Sequence, residues 1–230
     1  MTTALAHESE LEFELGGPAY RLMQRIGLIK GAGPSLGRRV VGFLLITWVP
    51  LLAFSFIEGR ALGPTPRESL LLDFATYARF FLAVPLLFVA EVVTGPRLRS
   101  AGLHFIRGNF VRPEDLPAVE AAIVRAARRR EALLPELVIL GVALLGAWYF
   151  TLETWSGGTG TATWRSAVRP GGLGLSLAGF WHQCVAVPIL QFFMYRWLWR
   201  LIIWTLFLRD LSRLPLNLVA THPDRAGGLG

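Results

Sequence analysis

The chain has 230 residues, 53% of them hydrophobic and only 17% charged, with a mean hydropathy of +0.48. A water-soluble domain of this size carries more charge and breaks its apolar residues into short runs, so an ordinary soluble fold is excluded as the first reading. The net charge of +7 does not mark nucleic acid as a partner either, because the arginines flank apolar blocks, where topology and anionic lipid account for them.

Residues 1–17 include the alternation Glu-Leu-Glu-Phe-Glu-Leu, which has strand period without a partner and reads as a tail or an edge strand. Over residues 18–30, Leu22, Ile26 and Ile29 share one helical face and Arg21 and Arg25 another. This predicts a short helix lying on the inner membrane surface, with a soluble helix packed on the rest of the protein as the alternative. Four apolar blocks follow, at residues 40–57, 74–94, 133–152 and 176–195. Each is close to the length of roughly 20 residues that a helix needs to cross a hydrocarbon core. Residues 95–131 form the longest polar segment. Within it Pro113, Glu114 and Asp115 open a helix that Arg128, Arg129 and Arg130 close, with Leu116, Val119, Ile123 and Ala126 as its apolar face. The loop before the fourth block is rich in Gly, Ser and Thr. Apolar character runs on from that block to Leu208, too far for one span. Arg196, Trp197, Trp199 and Arg200 read as an aromatic and basic belt anchoring the inner interface, after which an interfacial or cytoplasmic helix continues.

Orientation follows from charge. Eighteen of the 23 Lys+Arg residues fall in residues 1–39, 95–131 and the segment from Arg196 onward; the intervening loops hold four, and Arg79 sits inside a block. The fold predicted is therefore all-α: a polytopic helical membrane protein with about four transmembrane helices and added interfacial and cytoplasmic amphipathic helices. Both terminal segments are placed in the cytoplasm. Arginine outnumbers lysine 22 to 1, which suits a GC-rich bacterial genome and hence a bacterial inner membrane. No cleavable signal peptide is evident, since the first residues are acidic. Cys184 is the one cysteine, so an intrachain disulfide is excluded.

The cadence Arg169-Pro-Gly-Gly-Leu-Gly leads into the fourth block, and a near copy, Arg225-Ala-Gly-Gly-Leu-Gly, ends the sequence. The segment Thr221-His-Pro-Asp-Arg-Ala-Gly-Gly-Leu-Gly, with Arg196-Trp-Leu-Trp-Arg200 before it, resembles a group of uncharacterised bacterial multi-pass inner-membrane proteins. The resemblance implies a membrane location and a continuation past residue 230 into further spans. It attaches no function.

An ionisable residue near a bilayer centre costs roughly 2.5–3.5 kcal/mol on insertion scales, so those inside the blocks define the candidate site. Arg79 can snorkel outward, and Glu91 can reach the inner interface or pair with Arg97 or Arg196. His182 matches Arg79 in depth and Gln191 matches Glu91, so two polar layers form if the second and fourth spans touch. Pro188 also deprives the Cys184 carbonyl of its helical donor, beside His182 and Gln183. Such a place can bind a solute, although polar contacts that only glue a bundle are commoner. Prolines recur in Val49-Pro50-Leu51, Val84-Pro85-Leu86 and Val187-Pro188-Ile189, which reads as tolerance of proline in membrane helices rather than as a repeat. The glycines of residues 31–37 do not match a dinucleotide loop. His7, His104, His182 and His222 lack ligand spacing, and no nucleophile elbow is present, so no metal, cofactor or catalytic residue is assigned.

Three roles remain: a membrane subunit or scaffold; part of a transporter or channel using Arg79, Glu91, His182 and Gln191; or a membrane enzyme or sensor completed by further sequence or a partner, with His222 and Asp224 as its trace. The partners expected are the lipid bilayer, anionic lipid at the cytoplasmic face, and a second copy or another membrane protein.

Overall fold

A computed structural model describes residues 16–29, 36–108, 110–156, 163–169 and 172–217. The alternating tail, most of the glycine stretch at 31–37, and the segment 221–230 with His222 and Asp224 lie outside the described residues.

The helices are α1 Pro18–Arg25, α2 Leu36–Ile57, α3 Phe74–Tyr77, α4 Val84–Arg107, α5 Leu116–Glu131, α6 Leu133–Ser156, α7 Leu177–Trp181 and α8 Val187–Leu211. Short 3-10 turns at Leu70–Leu72 and Pro113–Asp115 precede α3 and α5. A π-helical segment, Ala78–Ala83, joins α3 to α4, and another, His182–Ala186, joins α7 to α8. Three helical runs are long and apolar enough to cross a membrane: Leu36–Ile57, Phe74–Phe105 and Leu177–Leu211. The number is four if the broken pair Pro113–Glu131 and Leu133–Tyr149 is one span. The second run extends well past the end expected for it, because helix propagation is favourable once a helix has formed, while the fourth continues to Leu211 as a helix, as expected.

The loop before α7 is not purely irregular. Strands β1 Ser166–Arg169 and β2 Gly172–Leu175 pair antiparallel, with Ser166 opposite Leu175 and Arg169 opposite Gly172. The all-α expectation therefore needs this small correction.

Two helix ends show how the sequence stops a helix. Gly59 follows α2 at φ +67°, its N–H bonding the Phe56 carbonyl and that of Arg60 bonding Ser55. Gly27 (φ +76°) closes α1 in the same way, with Leu28 reaching back to the Met23 carbonyl. Both are left-handed caps that only glycine adopts without a steric penalty. The turn at Gly27 also takes Ile29 off the face of α1. Leu22 and Ile26 stay exposed at 58% each while Ile29 is buried, so the expected three-residue apolar face holds only two.

The chain divides into two compact units, Met1–Leu22 with Ala90–Leu133 and Trp197–Gly230, and Met23–Val89 with Leu134–Arg196. In the first, α5 buries Val119, Ala122, Ile123 and Ala126 against Ile203, Phe207 and Leu211 of α8. Both sets recur at three- and four-residue intervals, the spacing of one helical face. Arg125 donates to Asp210 from Nε (3.2 Å) and Nη2 (3.1 Å) along the same seam. Glu131, at the end of α5, accepts from the Gly17 backbone at 3.0 Å and pairs with Arg21.

The second unit is built around aromatic residues: Phe43 and Trp48 of α2 with Phe80, Phe88 and Trp164. Arg39, expected to flank the first span, is buried with its guanidinium 4.5 Å above the Phe88 ring. Helix α6 inverts the usual pattern. Its buried residues include the small Ala143 and Ala147, while Leu134, Leu145, Trp148 and Tyr149 are exposed.

Gly179 of α7 marks the closest approach in this unit. A Cβ there would lie 2.1 Å from the Arg165 carbonyl oxygen, whereas one at Gly141 of α6 would meet nothing within 4 Å. Gly179→Ala should therefore lower the thermal midpoint in detergent by the equivalent of about 1–3 kcal/mol, and Gly141→Ala should leave it unchanged or raise it. Equal midpoints for the two variants would contradict this packing.

Candidate functional site

The polar residues at the start of the second and fourth runs form one cluster, built upward from two helix caps. Asp73 caps α3, accepting from the Thr76 backbone at 3.2 Å and from its hydroxyl at 2.8 Å. Ser176 caps α7, accepting from the Gly179 backbone at 2.8 Å, while its own hydroxyl donates to the Trp164 carbonyl at 2.8 Å. The Glu58 carboxylate, beyond the end of α2, takes the two remaining donors, Leu177 N–H at 2.8 Å and Ala178 N–H at 3.3 Å. These bonds satisfy the first turn of α7 and hold residues 164–165 against it.

Trp164 and Arg165 then close over Asp73. The indole Nε1–H donates to Asp73 at 2.8 Å, and Arg165 donates to the same oxygen at 3.2 Å while its guanidinium lies 4.7 Å from the Trp164 ring. Burial alone would raise the Asp73 pKa. The hydrogen bonds from Trp164 and Thr76 and the charge of Arg165 outweigh it, so the carboxyl sits below its ordinary value. Arg165 is lowered by burial, and further by Arg79, against the raising effect of Asp73.

His182 lies beneath, 2% exposed, with Trp164 at 5.4 Å and Phe80 at 6.1 Å between ring centroids, both edge to face. Arg79 Nη1 is 3.4 Å from His182 Nε2. A guanidinium only donates, so Nε2 accepts and the proton of the neutral ring is on Nδ1. That Nδ1 is buried and has no partner among the described residues. Arg79 pairs with no carboxylate among the described residues either.

Both Arg79 and His182 stand in π-helical segments, which are uncommon and concentrate at functional positions. Asp73, Arg79 and Pro85 are spaced by six, and so are Ser176, His182 and Pro188; each proline ends the tripeptide Ala-Val-Pro. Two of the three proline matches thus share a capped turn, a π segment and a long helix. The sequence reading passed over this, together with Asp73, Trp164 and Arg165. Equal spacing from cap to polar residue to proline was the available signal.

Glu91 and Gln191, expected to share the other layer, belong to different units. Glu91 is paired with Arg200 at 2.8 Å and not with Arg97, and Arg200 also donates to the Gly16 carbonyl at 3.2 Å. Arg196 pairs with Glu136 at 3.3 Å. Arg196 and Arg200, expected as interfacial anchors, are 3% and 7% exposed and each meets a carboxylate. Trp197 and Trp199 are half-buried, Trp199 against the core of α5 and α8. Gln191 faces Gly146 of α6 with its Oε1 buried and unpartnered, and Gln183 donates to the Ala147 carbonyl at 2.9 Å. Among the described residues no group of three or more His, Cys, Asp or Glu side chains is placed to hold a metal ion. No family model matches the chain, and neither a curated protein nor a solved structure does.

Two expectations follow. Because the folded Asp73 is the more acidic state, its bonds stabilise the protein above the ordinary aspartate range, and that contribution is lost as pH falls through the depressed value. At pH 7 Asp73→Asn should lower the thermal midpoint by roughly 1–3 kcal/mol, with the gap to wild type closing on acidification below that range. A gap independent of pH would refute the assignment. Glu91→Gln should cost about 3–5 kcal/mol, since it removes a carboxylate from a buried guanidinium, whereas Glu91→Leu combined with Arg200→Met should recover most of the loss. Additive effects in that cycle would show that the two groups are not coupled.

Proposed function

We propose that this chain is an integral protein of the bacterial cytoplasmic (inner) membrane. Residues 1–39, 95–131 and those from 196 onward lie on the cytoplasmic side, and the protein serves as a membrane subunit or scaffold. The observation that carries this reading is the inverted burial of α6. A helix in water hides its large apolar side chains, yet α6 buries alanines and turns Leu134, Leu145 and Trp148 outward. Small residues inward and large ones outward suit a helix packed in lipid, where tails solvate Leu as well as protein does. α6 has 24 residues, enough to cross a ~30 Å core. The resemblance to multi-pass proteins that carry an HPDRAGGLG segment is in keeping with this reading.

The scaffold role is favoured over a continuous solute path because the inner-half charges are spent on each other. Glu91 meets Arg200 and Glu136 meets Arg196, contacts that suit holding helices together. The bilayer and anionic lipid near Arg128, Arg129 and Arg130 are the partners this reading names, with a second copy or another membrane protein covering apolar faces. A second reading, solute handling at the outer end, is supported by Arg79 and His182 meeting on two π segments.

The single cysteine makes the test direct. In a Cys184→Ser background, Thr65→Cys and Arg128→Cys variants are exposed in intact cells to a membrane-impermeant thiol reagent. Thr65→Cys should be labelled, Arg128→Cys only after permeabilisation, and both should stay in the membrane pellet at alkaline pH. Labelling of Arg128→Cys in intact cells, or release by alkali, would overturn the proposal.

A further inference from the structure

The charges on the long apolar helices are not treated alike. Arg196 and Arg200 are each answered by a carboxylate. Arg79 is answered only by a neutral imidazole nitrogen. The carboxylate that reaches this cluster, Asp73, already accepts from Trp164, Thr76 and Arg165, and Glu58 is committed to the backbone of α7. Of the two guanidinium groups in the cluster, Arg165 alone meets a carboxylate among the described residues. Independently, the His182 Nδ1–H is a donor in a side chain 2% exposed, and it has no acceptor among the described residues. An excess of positive charge and an orphan donor, both held by capped and aromatic-packed elements, call for the same missing thing: an anion rich in acceptor oxygens.

We propose that Arg79, Arg165 and His182 form a binding site for a phosphate group, carried by a lipid headgroup or free in solution. A guanidinium donates along two parallel directions and suits paired oxygens. Two guanidinium groups and a ring N–H arriving from three chain segments suit a tetrahedral oxyanion better than a planar carboxylate. Arg165 has 37% of its side chain exposed and Arg79 is half-buried, so the ligand enters past the arginines with His182 as the floor. Arg79 and His182 each stand in a π segment and meet at 3.4 Å. The site goes beyond the scaffold role and does not depend on it. Membrane insertion is read by thiol labelling, and phosphate binding by the measurement below.

The full chain is purified in a zwitterionic detergent, and its thermal midpoint is followed against inorganic phosphate, against short-chain phosphatidic acid, and against sodium chloride of matched ionic strength. A parallel 15N spectrum of histidine-labelled protein follows the His182 ring. A saturable rise in midpoint with phosphate or with phosphatidic acid, accompanied by a shift of the His182 Nδ1 resonance, is expected. A response to phosphate itself identifies a soluble anion, and a response confined to phosphatidic acid identifies a headgroup. Arg79→Gln should weaken the response at least tenfold and Arg79→Lys less. Arg165→Gln, at a more exposed position, tests the same point if Arg79→Gln fails to fold, while Arg128→Gln should bind as wild type does. No rise beyond that given by sodium chloride, or equal affinity in wild type and Arg165→Gln, would overturn the proposal.

Discussion

Ion pairing inside apolar helices is the constraint on which the rest of the structure turns. Arg196 and Arg200 are four residues apart on α8, so their side chains leave the helix on one face. Both are nearly buried, and each meets a carboxylate from a different helix, Glu136 of α6 and Glu91 of α4. Removing a charge from water costs several kcal/mol even after relaxation, and only a close, well-oriented partner offsets it. In the unit that holds Arg200, the pair with Glu91 sets which side of α8 is inward, and Ile203, Phe207 and Leu211 meet α5 there.

The upstream ends of the two long runs are set by a different device. A π turn holds about one more residue than an α turn, so it rotates everything before it by roughly 100° relative to an unbroken helix. Pro85 and Pro188 lack the N–H that an α-helix would need one turn back, which removes a reason for the preceding residues to stay in α register. Val187 instead bonds the His182 carbonyl, five residues earlier. Cap, polar residue and proline keep the same spacing in both runs, so Arg79 and His182 lie equally far from cap and proline, each within a π segment. Pro50 in α2 sits in a helix that continues without a π segment, so proline alone does not create the turn.

Much of this was legible in the sequence. The apolar face of α5 was written in Val119, Ile123 and Ala126, and the apolar blocks match the long helices at their starts. The partner of Glu91 was not legible, because helical spacing reports which face a residue occupies and not which neighbour arrives there. One alternative was excludable in advance: Arg97 is six residues from Glu91, well off its face on any α-helix. The burial of Arg196 and Arg200 was not legible for the same reason: the sequence places both on one face of α8 and does not say that a carboxylate meets each. The hairpin of β1 and β2 left no alternating pattern in a stretch dominated by Gly, Ser and Thr.

The paired charges and the cluster of Arg79, Arg165 and His182 differ in one respect that bears on function. A protein that needs only to fold gains nothing from an unanswered guanidinium, and a carboxylate at any neighbouring position would neutralise it. Glu58 and Asp73 both belong to the same unit, yet one is held by the backbone of α7 and the other by Trp164, Thr76 and Arg165. The caps thus consume the acids that could have closed the site, while Trp164 and Phe80 keep the His182 ring fixed beneath it. Rigid surroundings around unmet donors are what preorganisation for a ligand looks like, since the cost of ordering those groups is met on folding rather than on binding. The ion pairs hold α8 in register, and the open end of the same helix run is where chemistry from outside the chain can act.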